Sequence, residues 1–303
     1  MSRRYALLDV FTNKPLEGNQ LAIVQDCNGL SDEEMQALAR EFNLSETVFL
    51  LPPENPAHSA KLRIFTPFQE LPFAGHPTVG AAVFLSLERF GNDAPEQDSV
   101  VVLEETLGTV RCGVVLKQGA AGFAEFDVPS LPRPSAPMGT TESIALCLGI
   151  EPTEIGFENH HPTTMTAGNH FAFVPVRDLS VLKMVSPDPS HWEAAFGNLD
   201  HNAVYIYCRE TETATASFQA RMFSNDEQIW EDAATGSAAA AFGGVVHAFD
   251  EPLDGTHHFT IEQGFQMGRP SVIDLELDIE GKQIRAQRIG GQAVLIARGE
   301  LFC

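Results

Sequence analysis

Glu46, His76 and Asp232 are the side chains of this 303-residue chain best suited by type and neighbourhood to move a proton. Glu46 stands in Asn43-Leu-Ser-Glu-Thr-Val-Phe49, where a helical pattern gives way to a strand pattern. His76 and Asp232 stand in two glycine-bearing turns, Leu71-Pro-Phe-Ala-Gly-His-Pro77 and Glu231-Asp-Ala-Ala-Thr-Gly-Ser237. A lone loop carboxylate is ordinarily a solvated charge. Beside a histidine and an aspartate in a partly closed cleft, its pKa can move toward neutrality, the property a general acid/base needs. Each turn opens an apolar stretch of helical length, so each offers unpaired N–H groups and about half a positive charge at a helix start. With a pseudo-two-fold axis between two halves, the turns would face each other across an interdomain cleft suited to a small carboxylate.

Other chemistries lack their residues. Only five lysines occur (Lys14, Lys61, Lys117, Lys183, Lys282), none in a GxxxxGK[ST] loop, and no G-x-G-x-x-G opens a helix. The pairs His160-His161 and His257-His258 lack metal-ligand spacing and read as loop histidines. The five cysteines are odd in number, scattered and never in a CxxC pair, against both a disulfide scaffold and a zinc site. The residues thus give no sign of a P-loop, a dinucleotide loop or a zinc site.

The elements that must position these residues are strand-rich with a few helices. Ser31 to Phe42 reads as a helix with Ser31 as N-cap, Glu34 completing a capping box, and Met35, Leu38, Ala39 and Phe42 on one apolar face. Strand patterns run from Ala6 to Phe11, Leu21 to Val24, Thr47 to Leu51, Lys61 to Phe65, Val100 to Leu103 and Val110 to Leu116, with a last strand from Gly290 to Ala297. Two helices, Pro77 to Leu87 and Ser237 to Val246, are apolar or small nearly all round and must be buried on every side. Pro77 suits the first helical position. The economical arrangement wraps strands around each buried helix.

The chain also repeats itself. Gly18-Asn-Gln-Leu-Ala-Ile-Val24 reads against Gly168-Asn-His-Phe-Ala-Phe-Val174, Thr47-Val-Phe-Leu-Leu51 against Ala203-Val-Tyr-Ile-Tyr207, Arg63-Ile-Phe65 against Arg221-Met-Phe223, and Gly75-His76 against Gly236-Ser237. Four matches in order suggest an internal duplication into two similar domains. The counterpart of Glu46 is Asn202, so one half alone presents that carboxylate. Pro129 to Gly139, with four prolines in eleven residues, neither continues a helix nor pairs in a central strand and reads as a linker. The expected domains are 1–128 and 140–303, joined by 129–139, with the final strand, about 290–303, free to return to the first.

Composition limits the partners. Hydrophobic residues at 44% and charged residues at 20% are those of a soluble globular protein. A formal charge of −22 disfavours nucleic acid and anionic membrane, which need a basic footprint. No run of about 18 apolar residues predicts a membrane helix. The N-terminus lacks the apolar core of a secretory signal, so a cytoplasmic location is expected.

Asp9-Val-Phe-Thr12 with Gly18-Asn19, Asn43-Leu-Ser-Glu-Thr47, Phe73-Ala-Gly-His-Pro-Thr78 and Glu231-Asp-Ala-Ala-Thr-Gly-Ser-Ala238 resemble, in order, the signature blocks of the PhzF-like isomerases of phenazine biosynthesis. The resemblance implies an α+β, diaminopimelate epimerase-like fold of two pseudo-symmetric domains, each a β-sheet wrapped around a central helix, with the active site between them. It implies that Glu46 shuttles a proton, that His76 and Asp232 orient the substrate or share protons with it, and that Ser45, Gly75, Gly236 and Ser237 bind it. It further implies a homodimer acting without metal or organic cofactor; the family's namesake isomerises trans-2,3-dihydro-3-hydroxyanthranilate. Epimerase relatives carry a cysteine pair at the two turns. Here Ala74 and Thr235 precede the glycines, so two-thiol racemisation lacks its residues. The second block reads E-D-A-A-T-G-S where the family usually has E-D-P-A-T-G-S, with Asp232, Gly236 and Ser237 kept. The leading expectation is a cofactor-independent isomerase of a small carboxylate. Its rivals are an amino-acid racemase or epimerase, and a non-catalytic ligand- or partner-binding protein.

Overall fold

The computed structural model describes residues 2–92, 95–197, 203–225 and 228–303. The chain divides into one unit of Met1–Pro129 with Gly290–Cys303 and another of Ser130–Ile289. The elements of the first are β1 (Ser2–Val10), β2 (Asn19–Val24), α1 (Asp32–Phe42), β3 (Glu46–Leu51), β4 (Ala60–Phe65), β5 (Glu70–Leu71), α2 (Gly75–Phe90), β6 (Gln97–Glu105), β7 (Gly108–Lys117) and β8 (Ala121–Asp127). The second contains β9 (Arg133–Pro134), α3 (Thr141–Leu148), β10 (Thr163–Thr166), β11 (His170–Pro175), α4 (Leu179–Met184), α5 (Pro189–Phe196), β12 (Ala203–Cys208), β13 (Phe218–Asn225), β14 (Ile229–Asp232), α6 (Gly236–Asp250), β15 (Gly255–Gln263) and β16 (Ser271–Glu280). The last strand, β17 (Gln283–Phe302), starts in the second unit and ends in the first.

In the first unit β1 pairs antiparallel with β2, β2 parallel with β3, β3 antiparallel with β4, and β4 parallel with β6. β6, β7 and β8 form an antiparallel meander, and β17 pairs with both β8 and β1, so the ladder closes on itself. α2 packs against β1, β2, β3, β6, β7 and β8. Its all-round apolar composition follows from that position: Val79, Ala81, Ala82, Val83 and Phe84 have no exposed surface. Gly80 is where the helix comes nearest the sheet; a Cβ there would lie 2.5 Å from Leu21 Cδ2 and 2.9 Å from Val10 Cγ2. α1 lies outside the ring and packs Met35 and Ala39 onto Val24, Phe49 and Phe65. Its capping box forms as the sequence predicts, with Ser31 Oγ accepting from Glu34 N and Glu34 Oε2 accepting from Ser31 N.

The second unit repeats this order. β11 and β12 pair in parallel, β12 and β13 antiparallel, β13 and β15 in parallel, and β15 and β16 antiparallel. α6 packs against β9, β10, β11 and β16. A buried aromatic group of Phe173, Tyr205, Tyr207 and Phe218 surrounds Phe242 of α6.

Three sequence readings need correction. Pro77 is the third residue of α2, behind Gly75 and His76; its missing N–H costs nothing there, since the first four helical N–H groups are unpaired anyway. The Pro-rich linker contains the short strand β9, two residues long, in which Pro134 pairs with Met165 of β10. His257 and His258 lie in β15, not a loop. His160 lies between named elements, as read, but it is buried, its Nδ1 within 2.9 Å of the Tyr207 hydroxyl and its Nε2 within 2.9 Å of Asp250 Oδ1. Asn202, the counterpart of Glu46, lies outside the described residues. Among the described residues no helix is long and apolar enough to cross a membrane.

Candidate active site

Ser45, Glu46, Gly75 and His76 belong to the first unit, and Asp232, Gly236 and Ser237 to the second. Glu46 is the first residue of β3, opposite Leu21 of β2, and the parallel pairing sets both strand starts at one end of the sheet. The same end receives the start of α2. His76, the second residue of α2, is only 3% exposed, and its Nδ1 lies 3.4 Å from Glu46 Oε2. Burial pulls the His76 pKa down to about 3, opposed by a hydrogen bond to the backbone of Gln20. The ring is therefore neutral, and the contact with Glu46 is imidazole to carboxylate, longer than a normal hydrogen bond, rather than an ion pair. The Glu46 side chain keeps 16% of its surface exposed and Ser45 is half-buried, so neither is wholly cut off from solvent.

Both central helices start without a side-chain cap. Ala74 precedes α2 and offers no oxygen in its side chain; Thr235 precedes α6, but its hydroxyl is committed elsewhere. Thr235 Oγ1 donates to Asp232 Oδ2 at 2.6 Å. Among the described residues the first N–H groups of each helix, at Gly75 and His76 and at Gly236 and Ser237, thus have no capping side chain, and such groups can take an outside acceptor such as a carboxylate.

Around Asp232 the structure brings in two side chains that sequence reasoning missed. Gln263, at the end of β15 and wholly buried, donates from Nε2 to the Asp232 carbonyl at 2.9 Å and to Thr235 Oγ1 at 3.0 Å. Its Oε1 accepts from Thr235 N at 3.1 Å. This amide fixes the turn from which α6 starts. Tyr205 lies in the same row of the sheet, since Met222 of β13 is the register partner of both Tyr205 and Asp232. Burial, then the Asp232 charge, push the Tyr205 hydroxyl far above its ordinary pKa, and the hydroxyl has no hydrogen-bond partner among the described residues. Neither residue stands in a signature block.

A second cluster of titratable groups, Glu158, His160 and Asp250, has its ligand atoms close enough for a cation. Arg209 already supplies one, donating from Nη2 to Asp250 Oδ1 at 2.7 Å and to Glu158 Oε2 at 3.1 Å. Burial alone would raise the Asp250 pKa; hydrogen bonds from His160 and Arg209 outweigh it and bring it down to about 2. The cluster is a filled structural network.

A family model described as phenazine biosynthesis-like protein matches residues 8–299. The chain belongs to this family. Its phenazine biosynthesis-like relatives include an uncharacterized isomerase of Mesorhizobium japonicum, 48% identical over 99% of both chains. They also include the trans-2,3-dihydro-3-hydroxyanthranilate isomerase of Pseudomonas fluorescens, 32% identical over 98% of both. A crystal structure of a PhzF-family phenazine biosynthesis protein from Bacillus anthracis superposes with a TM-score of 0.87 at 25% identity, each chain covered completely. This phenazine biosynthesis-like chain is accordingly an isomerase with the strand-rich PhzF fold.

Proposed function

We propose that the enzyme shifts a proton between carbons of a small carboxylate substrate by general acid/base catalysis with Glu46. The contact between Glu46 and the neutral, buried His76 at one end of the β2–β3 pair carries this reading. Glu46 takes the proton from an acidified carbon and returns it to another carbon on the same face, which one base can do. His76, neutral and fixed at the start of α2, orients the carboxylate of Glu46 or hydrogen-bonds the substrate. Asp232, held by Thr235 and Gln263, serves as the second orienting or proton-sharing group. Ser45, Gly75, Gly236 and Ser237 bind substrate, the glycines through the uncapped helix starts. The two units are read as diaminopimelate epimerase-like domains, and the working enzyme as a cytoplasmic homodimer, which light scattering tests.

Proton NMR in D2O with trans-2,3-dihydro-3-hydroxyanthranilate and free amino acids tests the chemistry. Wild type is expected to move or exchange a carbon-bound hydrogen, and Glu46→Gln to lose about 10²–10⁴-fold or more of that rate while still binding. Inversion of an amino acid, with no shift on the dihydroanthranilate, would instead support a racemase. Equal rates in wild type and Glu46→Gln would sink the role of Glu46.

A further inference from the structure

The repeated halves treat one buried position differently. β6 lies parallel to β4 as β15 lies parallel to β13, with Lys61 opposite Glu104 and Gln219 opposite Glu262. Glu104 accepts the backbone N–H groups of Glu54 and Asn55 at 2.7 and 2.8 Å; Glu262 accepts those of Glu212 and Thr213 at 2.7 and 2.9 Å. Glu104 and Glu262 are therefore equivalent, and so are the residues that follow, Glu105 and Gln263. Gln263 braces the start of α6. Glu105 reaches the start of α2, where Thr78 Oγ1 lies 2.8 Å from both Glu105 Oε1 and the carbonyl oxygen of Ala74. Ala74 directly precedes Gly75 and His76.

The proton count at Thr78 and the burial of Glu105 together bear on the state of Glu105. One hydroxyl proton cannot serve two acceptors at once. With Glu105 ionised, the hydroxyl proton must choose between a buried carboxylate oxygen and the Ala74 carbonyl, which then keeps only the longer bond from the Thr78 backbone N–H, 3.3 Å. With Glu105 protonated, its O–H donates to Thr78 Oγ1 and the threonine proton goes to Ala74, so both contacts are made. Glu105 is 7% exposed, and its Oε2 is buried without a hydrogen-bond partner among the described residues, a far smaller cost for a neutral carbonyl than for a charge.

We infer that Glu105 is a protonated carboxylic acid standing in for the amide of Gln263, a positioning residue that braces the helix start carrying His76. Burial pushes its pKa up to about 8 against the Thr78 hydrogen bond. Its surroundings supply no compensating cation among the described residues: α2 presents Thr78, the β7 residue opposite is Gly108, and the titratable neighbours are the Cys112 thiol of β7 and, beyond it, Asp127 of β8. Because the folded pKa is raised, the stability linked to this group is complete below about pH 4.5 and declines until about pH 8, above which both states are ionised.

The consequence for His76 rests on the proton-transfer reading; the clamp does not, and two measurements read it without substrate. Thermal melts from pH 5 to pH 9 are made on wild type, Glu105→Gln and Glu105→Ala, with infrared spectra in D2O near neutral pH. Wild type is expected to show a protonated-carboxyl band that Glu105→Gln lacks. Glu105→Gln is expected to melt higher than wild type by several degrees at pH 9 and by less at pH 5, and Glu105→Ala to melt lower at pH 5. A band unchanged by the substitution, or a melting difference independent of pH, overturns the inference. With active substrate, kcat of wild type is expected to fall above about pH 8 and Glu105→Gln to extend the plateau; superimposable profiles overturn the positioning role alone.

Discussion

His76 illustrates how a residue's burial, more than its type, sets its chemistry. An exposed histidine would titrate near neutrality, yet burial at the start of α2 holds this ring neutral down to about pH 3. Between that pH and about 6.5 the unfolded chain binds a proton that the folded chain refuses, so stability rises with pH there, by roughly 1.4 kcal/mol per unit at most. Replacing His76 by Asn is expected to flatten this part of the stability curve, as read by urea unfolding at pH 5 and pH 7.5. Equal slopes in both proteins would show that the imidazole is solvated. The type and neighbourhood of Glu46 and His76 were readable from the glycine turn and the helix-to-strand junction. Their 3.4 Å approach was not, because it depends on β2 and β3 pairing in parallel across a sequence gap filled by α1. Glu105, Gln263 and Tyr205 gave no local signal at all, since each is defined by a partner distant in sequence.

At the scale of elements, hydrophobic pattern carried the most information where a helix has only one environment. α2 lacks a polar face because sheet surrounds it, and α1 has one because it lies outside the ring. Boundaries were less legible: α2 begins two residues before Pro77 because Gly75 and His76 form its first turn, and polar residues flanking short apolar runs extended β6 to Gln97–Glu105. The repeated Arg63 and Arg221 acquire meaning only in the sheet, where Arg63 pairs with Glu70 of β5 and Arg221 with Glu231 of β14, each tying the short strand that leads to a central helix. Gly80 is the tight point between α2 and the sheet. Gly80→Ala should cost about 1–3 kcal/mol, read by chemical denaturation, because Leu21 and Val10 are themselves fully buried. A neutral or stabilising effect would mean that the helix can shift away from β1 and β2.

At the scale of the molecule, the first unit is built from two segments far apart in sequence, Met1–Pro129 and Gly290–Cys303. β17 contributes the neighbour of β1 over the whole span Ser2–Val10, and also pairs with β8. Deleting residues 290–303 should therefore unfold the first unit while sparing much of the second, with amide exchange accelerating in β1, β2 and α2 before β11–β13. Uniform protection in the truncated chain would disprove this dependence. The same connectivity bears on the order in which the protein is born. Residues 2–129 emerge from the ribosome with β1 as an open edge, its backbone groups unmatched and ready to pair with any other extended segment. They cannot close their ring until β17 has been translated and released. The second unit, apart from its shared strand, is complete earlier. Every nascent molecule thus passes through an interval in which the half bearing Glu46 is the less finished one, and chaperone dependence during synthesis should concentrate there.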